Sequence, residues 1–327
     1  MSEPSLADLL DTVRVVSIPL RVRFRGVAER EVALLEGPAG WGEFGPFLEY
    51  GPAEAARWLS SAVEAAWLGR PPTVRTRVPV NATVPAVTPD AVPGVLARFP
   101  GCTTAKVKVA ERGQSPDDDV CRVAAVRAAM GPHARIRVDA NGGWDVDTAA
   151  EVLGRLAPHG LEYAEQPCAE VEELRDLRIS LARRGIDVPV AADESIRKAE
   201  DPMRVRDLDA ADLIVIKAAP LGGVRRALDI VAECGLPAVV SSALDTSVGM
   251  ASGVALAAAL PQLDHACGLG TVALLDGDVT ADSLLPVDGQ LAVRCVSADA
   301  ALLDRWSAPP DRVRWWRDRL SAAWELA

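Results

Sequence analysis

Residues 104–109 read Thr-Ala-Lys-Val-Lys-Val, and residues 135–141 read Arg-Ile-Arg-Val-Asp-Ala-Asn. In both stretches charged side chains alternate with apolar ones, and a segment of helical character separates the two. Alternate residues of a strand point to one side of a sheet, so the two lysines share a side, as do the second arginine, the aspartate and the asparagine. The pattern indicates a strand, a helix and a second, parallel strand, with polar groups near the strand ends.

The same unit recurs from about residue 78 to the region of residue 270. Short segments that are almost continuously apolar are typical of parallel strands buried on both faces. We prefer a closed barrel to an open doubly wound sheet of similar periodicity, because polar residues stand at the end of nearly every strand. The eight strands are expected at Val78–Val84, Thr104–Val109, Arg135–Asn141, Leu161–Gln166, Val188–Asp193, Leu213–Lys217, Ala238–Ser242 and Cys267–Leu269.

The two ends of the chain have a different character. Residues 1–70 carry strand patterns around a turn at 37–40, which predicts an antiparallel meander, and a helix is expected over 53–68. The tail, 287–327, ends in a helix rich in tryptophan and arginine. In an acidic chain this composition favours an amphipathic helix that packs its tryptophans on the N-terminal region over a nucleic-acid-binding stripe.

Composition excludes several classes of function. The 327 residues are 49 % hydrophobic and 25 % charged, which is typical of a globular protein and not of a disordered chain. The net charge of −11 argues against nucleic acid or an anionic membrane as a partner. The longest apolar stretch is about half of the ~20 residues that a membrane span needs. Six scattered cysteines without a C-x-x-C pair, and an N-terminus without a signal-peptide pattern, predict a cytoplasmic protein.

Three carboxylates stand at the ends of three successive strands. Asp139, Glu165 and Asp193 are each separated by about one βα unit, so they are expected to meet at one mouth of the barrel. A set of oxygen ligands without histidine or cysteine suits Mg²⁺, or alternatively Mn²⁺. Each acid alone is more often a helix cap than a ligand, and it is the joint pattern that favours a metal site.

Lysines flank this candidate site in strand order. Lys106 and Lys108 precede the carboxylates and Lys217 follows them, so two opposite sides of a closed barrel would each present an amine. Near a cation a lysine loses part of its preference for the charged form, and a pKa of roughly 7–8 makes a usable general base. The implied reaction class is proton abstraction next to a carboxylate, with the developing negative charge stabilised by the cation.

These residues resemble the enolase superfamily, and specifically its muconate-lactonizing-enzyme subgroup. The K-x-K strand at Lys106 and Lys108, the acidic series at Asp139, Glu165 and Asp193, and the later Lys217 form the subgroup pattern. The resemblance covers nearly the whole chain. It implies an α/β fold: a modified TIM barrel, (β/α)7β, at 78–286, under an α+β capping domain formed by 1–77 with the C-terminal segment 287–327.

Within the subgroup the chain is most similar to the o-succinylbenzoate synthase family, in its short actinobacterial form. The similarity is carried by the segments 24–26, 40–50, 241–249 and 267–271. It implies a Mg²⁺-dependent syn-dehydration of 2-succinyl-6-hydroxy-2,4-cyclohexadiene-1-carboxylate to o-succinylbenzoate in menaquinone biosynthesis. Other enzymes with two lysines, such as N-succinylamino-acid racemase, dipeptide epimerase and muconate cycloisomerase, remain the alternative, and a non-catalytic scaffold barrel is a third.

The resemblance also implies roles for individual residues. Lys108 would remove the proton and assist departure of the hydroxyl group on the same face, while Lys217 would stabilise charge from the opposite side. Lys106 would support the base. The candidates for binding the substrate are Arg137, Asn141, Ser241, Ser242 and Gly268, and cap loops near Arg25 and residues 47–50 would close over it. The expected partner is a small carboxylate, and the chain is expected to be a monomer or a small homo-oligomer.

Overall fold

The computed structural model of the protein describes residues 3–24, 26–197 and 202–327. The strands are β1 (Arg14–Phe24), β2 (Val27–Gly37), β3 (Gly40–Phe44), β4 (Arg77–Pro79), β5 (Ala82–Val84), β6 (Thr104–Lys108), β7 (Arg135–Asp139), β8 (Leu161–Glu165), β9 (Val190–Ala192), β10 (Leu213–Ile216), β11 (Ala238–Val240) and β12 (Gln290–Ala292). The α-helices are α1 (Leu6–Thr12), α2 (Pro52–Val63), α3 (Val92–Leu96), α4 (Pro116–Met130), α5 (Val146–Leu156), α6 (Val171–Arg184), α7 (Glu194–Arg197), α8 (Arg204–Asp207), α9 (Ala218–Leu221), α10 (Val224–Cys234), α11 (Ser247–Ala259), α12 (Ala300–Arg305) and α13 (Pro310–Trp324). A π-helical turn at Glu64–Leu68 extends α2, and short 3-10 turns lie at Pro89–Ala91, Ala157–His159 and Thr271–Leu274.

The centre of the molecule is a parallel barrel. Seven strands, β5 to β11, lie in chain order and pair in parallel. Residues 267–268 join the two edges of this sheet through parallel bridges, Val80 with Cys267 and Ser241 with Gly268. The modified barrel predicted from the sequence is therefore confirmed.

Both the first and the last strand of the barrel are shorter than expected. The segment predicted as one strand at 78–84 divides into β4, which pairs antiparallel with β12, and β5, which joins the barrel. The final strand is reduced to the two bridging residues 267–268. Pro79 has no N–H to donate at the division, which favours a break in the ladder there.

The cap contains elements from both ends of the chain. Strands β1, β2 and β3 form the expected antiparallel meander, and α13 packs against α2 and β1. Trp316 on α13 is fully buried, with its ring perpendicular to that of Phe44 at 5.8 Å and its indole N–H donating to Glu31 over 2.8 Å. The domain boundaries at 77/78 and 286/287 stay a prediction. No helix in the described parts of the chain is long and apolar enough to cross a membrane.

Candidate active site

The predicted site residues sit at the carboxyl ends of five successive strands. Lys106 and Lys108 lie on β6, Asp139 and Glu165 end β7 and β8, Asp193 follows β9, and Lys217 follows β10. The strand register places Lys108 beside Asp139 and Asp139 beside Glu165. All six are buried, with the lysines 6–8 % exposed and the carboxylates at most 1 %.

The amines and carboxylates form two groups of ion pairs, one around Asp139 and one around Asp193. Lys106 Nζ lies 2.8 Å from Glu165 Oε1 and 3.1 Å from Asp139 Oδ2. Lys108 Nζ lies 2.5 Å from the same Asp139 oxygen, and Lys217 donates to Asp193 Oδ2. The structure thus brings together three lysines and three carboxylates that are up to 111 residues apart in the sequence.

Burial and neighbouring charges shift the pKa values of these groups in opposite directions. Burial, followed by the charge of Asp139, raises the pKa of Glu165 to about 7. Burial also acts on Asp139, but Lys108 and Lys106 outweigh it and hold the pKa of Asp139 well below its usual range. Burial lowers the pKa of Lys108, as a lysine base requires. For Lys106 the charges of Glu165 and Asp139 outweigh burial and raise the pKa.

The chemistry of the donor set fits a hard divalent cation. Asp139, Glu165 and Asp193 supply carboxylate oxygens from adjacent strand ends, and the raised pKa of Glu165 reflects burial plus repulsion from the other two. In the arrangement described, the lysine ammonium groups supply the compensating charge. Within the described ranges, no three histidine, cysteine, aspartate or glutamate side chains are close enough together to hold an ion as they stand.

A small cavity opens above these groups. Phe24 and Phe47 of the cap line it opposite the lysines, and Ser241, Ser242 and Gly268 also line it. The predicted cap residue Arg25 lies outside the described residues. The further lining residues are Thr83, Lys106, Lys108, Asp139, Asn141, Lys217, Ala243, Leu244 and Thr271.

The two edges of the barrel meet closely at the predicted substrate-arm residues. Ser242 Oγ donates to the Gly268 carbonyl over 2.7 Å and lies 2.9 Å from Thr271 Oγ1. A Cβ on residue 268 would stand only 2.5 Å from Ser241 Oγ, so a larger residue there would displace the Ser241 side chain. Ser241, Ser242 and Gly268 are therefore placed together in the cavity wall, as a site for a substrate arm requires.

Arg137 lies outside the cavity wall, and its role in binding the substrate stays a prediction. Its side chain is fully buried, donates to Glu162 over 2.5 Å and to the Ala266 carbonyl over 2.6 Å, and stacks on the Tyr163 ring. The described residues that line the cavity do not include Arg137. Strand alternation predicts the side of the sheet to which a residue points, but not its position along the barrel axis. Arg137 is the residue on β7 that precedes Asp139 on the same side of the sheet.

Gln166 is a structural member of the site that sequence reasoning missed. It is fully buried at a left-handed backbone position (φ +40°) directly after Glu165. Its Oε1 accepts from the backbone N–H groups of Asp193 and Ser195, over 2.9 and 3.2 Å, and its Nε2 donates to Ser195 Oγ. Gln166 thereby ties the end of β8 to the segment that carries Asp193. Its position next to Glu165 was the available signal.

Glu194 and Arg197 are a second group of site residues that sequence reasoning missed. Arg197 Nε donates to Asp193 Oδ1 over 3.2 Å, and its Nη2 donates to Glu194 Oε1 over 2.5 Å. Glu194 Oε1 also accepts from Asn141 Nδ2. The spacing of four residues between Asp193 and Arg197, on a helix, was the signal for this pair.

Comparisons with known proteins agree with this geometry. Residues 95–295, more than half of the chain, match the family model "Enolase C-terminal domain-like", and residues 15–66 match "Enolase N-terminal domain-like". Muconate lactonizing enzyme from Pseudomonas fluorescens has a similar fold, with a TM-score of 0.76 at 21 % sequence identity, covering 91 % of this chain and 98 % of that one. At this identity the likeness shows the fold alone.

Sequence relatives are much more similar. The o-succinylbenzoate synthase of Mycolicibacterium smegmatis is 59 % identical over 324 residues, which are 99 % of this chain and 98 % of that protein. The o-succinylbenzoate synthase of Mycobacterium tuberculosis is 57 % identical over 99 % of this chain and 97 % of that protein. The chain therefore belongs to the enolase superfamily and, within it, to the family of o-succinylbenzoate synthases.

Proposed function

We propose that the chain dehydrates 2-succinyl-6-hydroxy-2,4-cyclohexadiene-1-carboxylate to o-succinylbenzoate, with Mg²⁺ as cofactor and Mn²⁺ as a possible substitute. The observation that carries the proposal is the buried Lys108–Asp139 pair facing a small cavity, in a chain that is 57–59 % identical to proteins of that name. Menaquinone biosynthesis is the corresponding pathway.

Asp139, Glu165 and Asp193 would hold the cation. When bound, a divalent cation supplies positive charge that stabilises the negative charge developing on a substrate carboxylate. The carboxylates lie at the ends of neighbouring strands and their donors are all oxygen, which supports this assignment.

Lys108 is the acid–base residue in this proposal. Its Nζ takes the proton from the carbon next to the substrate carboxylate and then gives it to the hydroxyl group leaving on the same face. Water departs, and the ring becomes aromatic. Burial lowers the pKa of Lys108, which supports a neutral amine able to accept the proton.

The other lysines contribute charge. Lys217 comes from β10 and Lys108 from β6, so the two amines approach the cavity from opposite sides of the barrel. Lys217 would stabilise negative charge from its side, and Lys106 would hold Asp139 and Glu165 in place. The cluster of Ser241, Ser242 and Gly268 would bind the succinyl arm, and Asn141 would orient Lys108 through the hydrogen bond to its Oδ1, 2.6 Å long.

A second candidate activity, racemisation of N-succinylamino acids, is favoured by the presence of a lysine on each side of the cavity. Racemisation needs a base on both faces, whereas dehydration needs one base and one charge. The Lys217→Arg variant keeps the charge but has no usable base. We expect it to retain part of the dehydration rate and to lose racemisation of N-succinylamino acids. Loss of dehydration to the level of Lys108→Ala would contradict the assigned role of Lys217.

The direct test is an ultraviolet assay of the purified protein with the cyclohexadiene substrate and Mg²⁺, run beside N-succinylamino acids. Formation of the aromatic product that stops with EDTA supports the proposal. Racemisation without dehydration would assign the chain to the second activity, and no turnover of either substrate would favour the scaffold interpretation.

We also propose that the protein works in the cytoplasm as a monomer or small homo-oligomer, and that its partners are small carboxylates and not nucleic acid or membranes. The acidic net charge and six free cysteines support this environment. Size-exclusion chromatography with light scattering tests the oligomeric state.

A further inference from the structure

A chain of hydrogen bonds leads away from the base toward the cap. Lys108 Nζ donates to Asn141 Oδ1 over 2.6 Å, and Asn141 Nδ2 donates to Glu194 Oε1 over 3.2 Å. Arg197 donates to the same Glu194 oxygen and, through Nη1, to the Tyr50 hydroxyl over 2.5 Å. These four side chains, Asn141, Glu194, Arg197 and Tyr50, are called the polar link below.

The far end of the polar link is fixed within the cap. Tyr50 is 6 % exposed, and its ring contacts those of Phe47 and Trp58 edge-on or tilted. Arg319 on α13 donates to the carbonyls of Phe47 and Tyr50 over 2.7 and 2.8 Å. The loop that presents Phe47 to the cavity therefore also presents Tyr50 to the barrel.

The near end of the polar link is fixed by the backbone. Asn141 adopts a left-handed conformation (φ +48°), and its N–H donates to Asp139 Oδ1 over 3.1 Å. Arg197 is 4 % exposed and holds Asp193 as well as Glu194. A buried arginine with several charge-assisted hydrogen bonds has a well-defined position, so it can transmit the location of Tyr50 to Glu194 and Asn141.

We propose that Tyr50, Arg197 and Glu194 are positioning residues that orient Lys108 through Asn141 when the cap loop is seated on the barrel. None of the three lines the cavity, so each acts through another residue. The inference rests on the proposed function, in which Lys108 is the base. It predicts that a change at the cap, remote from the substrate, alters the rate of proton transfer and leaves substrate binding nearly intact.

The Tyr50→Phe variant tests the link, because it removes one hydroxyl and keeps the ring contacts. We expect kcat to fall about fivefold to tenfold with KM within about twofold, since misplacement of a reacting group costs rate. In the Asn141→Ala background the link is already cut, and the same change should cost less than about twofold in kcat. Equal losses in both backgrounds, a change in KM alone, or no change would overturn the proposal.

Ser252→Ala is the matched control. The Ser252 hydroxyl accepts a hydrogen bond from Arg70 Nε over 3.3 Å, so this variant also removes one hydroxyl from a contact between α11 and the segment that follows α2. Its kcat should stay within about twofold of the wild-type value. If Tyr50→Phe does not fold, as judged by circular dichroism, Glu194→Ala removes the acceptor at the centre of the link and should give the same loss of kcat.

A second readout does not depend on catalysis. The chain contains only four lysines, Lys106, Lys108, Lys198 and Lys217, so labelling with an amine reagent can be assigned to each by mass spectrometry. With the α-amino group of the chain as the internal reference, Tyr50→Phe should change the labelling rate of Lys108 at least twofold, and Ser252→Ala should not. An unchanged ratio overturns the inference. Absence of turnover in the wild-type protein overturns the proposed function instead.

Discussion

Lysine is rare in this protein, and its placement is informative. Of 35 basic residues only four are lysines, and Lys106, Lys108 and Lys217 line one cavity. Arginine does not release its proton near neutral pH, whereas a buried lysine can. A chain that otherwise uses arginine thus keeps lysine at the positions where an amine is required.

Replacement of Lys108 by arginine separates charge from proton transfer. Lys108→Arg keeps a cation beside Asp139 but removes the base, so we expect the dehydration rate to fall by about 10³-fold or more. The ultraviolet assay measures it. The control is the reverse change at a surface site, Arg175→Lys. Either side chain at this position can pair with Asp176, so the rate should stay unchanged. A Lys108→Arg variant within about tenfold of wild type would contradict the role of Lys108.

Glu43 gives the folded protein a pH-dependent stability. Burial, then the charge of Asp245, raises the pKa of Glu43 to about 8, although Arg30 and hydrogen bonds from Thr246 act against it. The folded state therefore keeps a proton that the unfolded chain releases above its ordinary pKa of 4.5. Stability from this group is present at low pH and is lost as the pH rises toward 8.

The Glu43→Gln variant should remove that dependence. Between about pH 5 and about pH 8, wild type should lose on the order of 3 kcal/mol of unfolding free energy relative to the variant. Urea unfolding at several pH values measures the difference. Parallel stability curves for the two proteins would show that Glu43 is ionised in the folded state.

Single residues were predictable where a pattern marked them. The alternation in 104–109 and the acids at strand ends identified the amines and carboxylates of the cavity. The height of Arg137 in the barrel, and the buried contacts of Gln166 and Arg197, depend on strand register and on neighbours distant in sequence. Neither follows from composition or spacing.

Helix α13 completes the cap from the far end of the chain, and its two adjacent tryptophans differ in environment. Trp316 is fully buried against Phe44 and donates to Glu31, whereas Trp315 is 37 % exposed. Trp316→Ala should lower the unfolding free energy by about 3–5 kcal/mol through loss of packing. Trp315→Ala should cost less than about 1 kcal/mol. Chemical denaturation compares the two, and equal losses would contradict the packing described for α13.

The helices and strands were predicted well where the apolar periodicity extends over many residues. The meander of β1 to β3, the helices between the barrel strands and the tryptophan-rich tail helix all follow from apolar spacing. The division of the segment 78–84 did not follow from it, because the pairing of β4 with β12 joins residues more than 200 positions apart. Long-range pairing of this kind leaves no local signal.

At the scale of the whole molecule, the proposed cation links stability to binding. A ligand that binds only the folded state raises stability by mass action. We expect saturating Mg²⁺ to raise the melting temperature by a few degrees and EDTA to reverse this. Differential scanning calorimetry of wild type measures the shift. In the Asp139→Asn variant the shift should disappear, and its persistence would place the cation elsewhere.

The overall architecture was the most predictable level. A run of βα units with charged residues at strand ends favours a barrel, and the family resemblance implied the cap from both ends of the chain. The sequence did not reveal which groups balance the negative charge of the buried carboxylates. Three amines provide the opposing charge, and that arrangement depends on side chains that meet only after the barrel closes.

The order in which the parts of the cap are synthesised has a consequence for folding in the cell. Strands β2 and β3 leave the ribosome early, whereas Trp316, which covers Phe44, emerges 272 residues after Phe44. During translation the growing chain must therefore carry an incomplete lid, with the Phe44 ring uncovered, until α13 docks. Chaperones that bind exposed aromatic surfaces would have access to this intermediate throughout translation of the barrel.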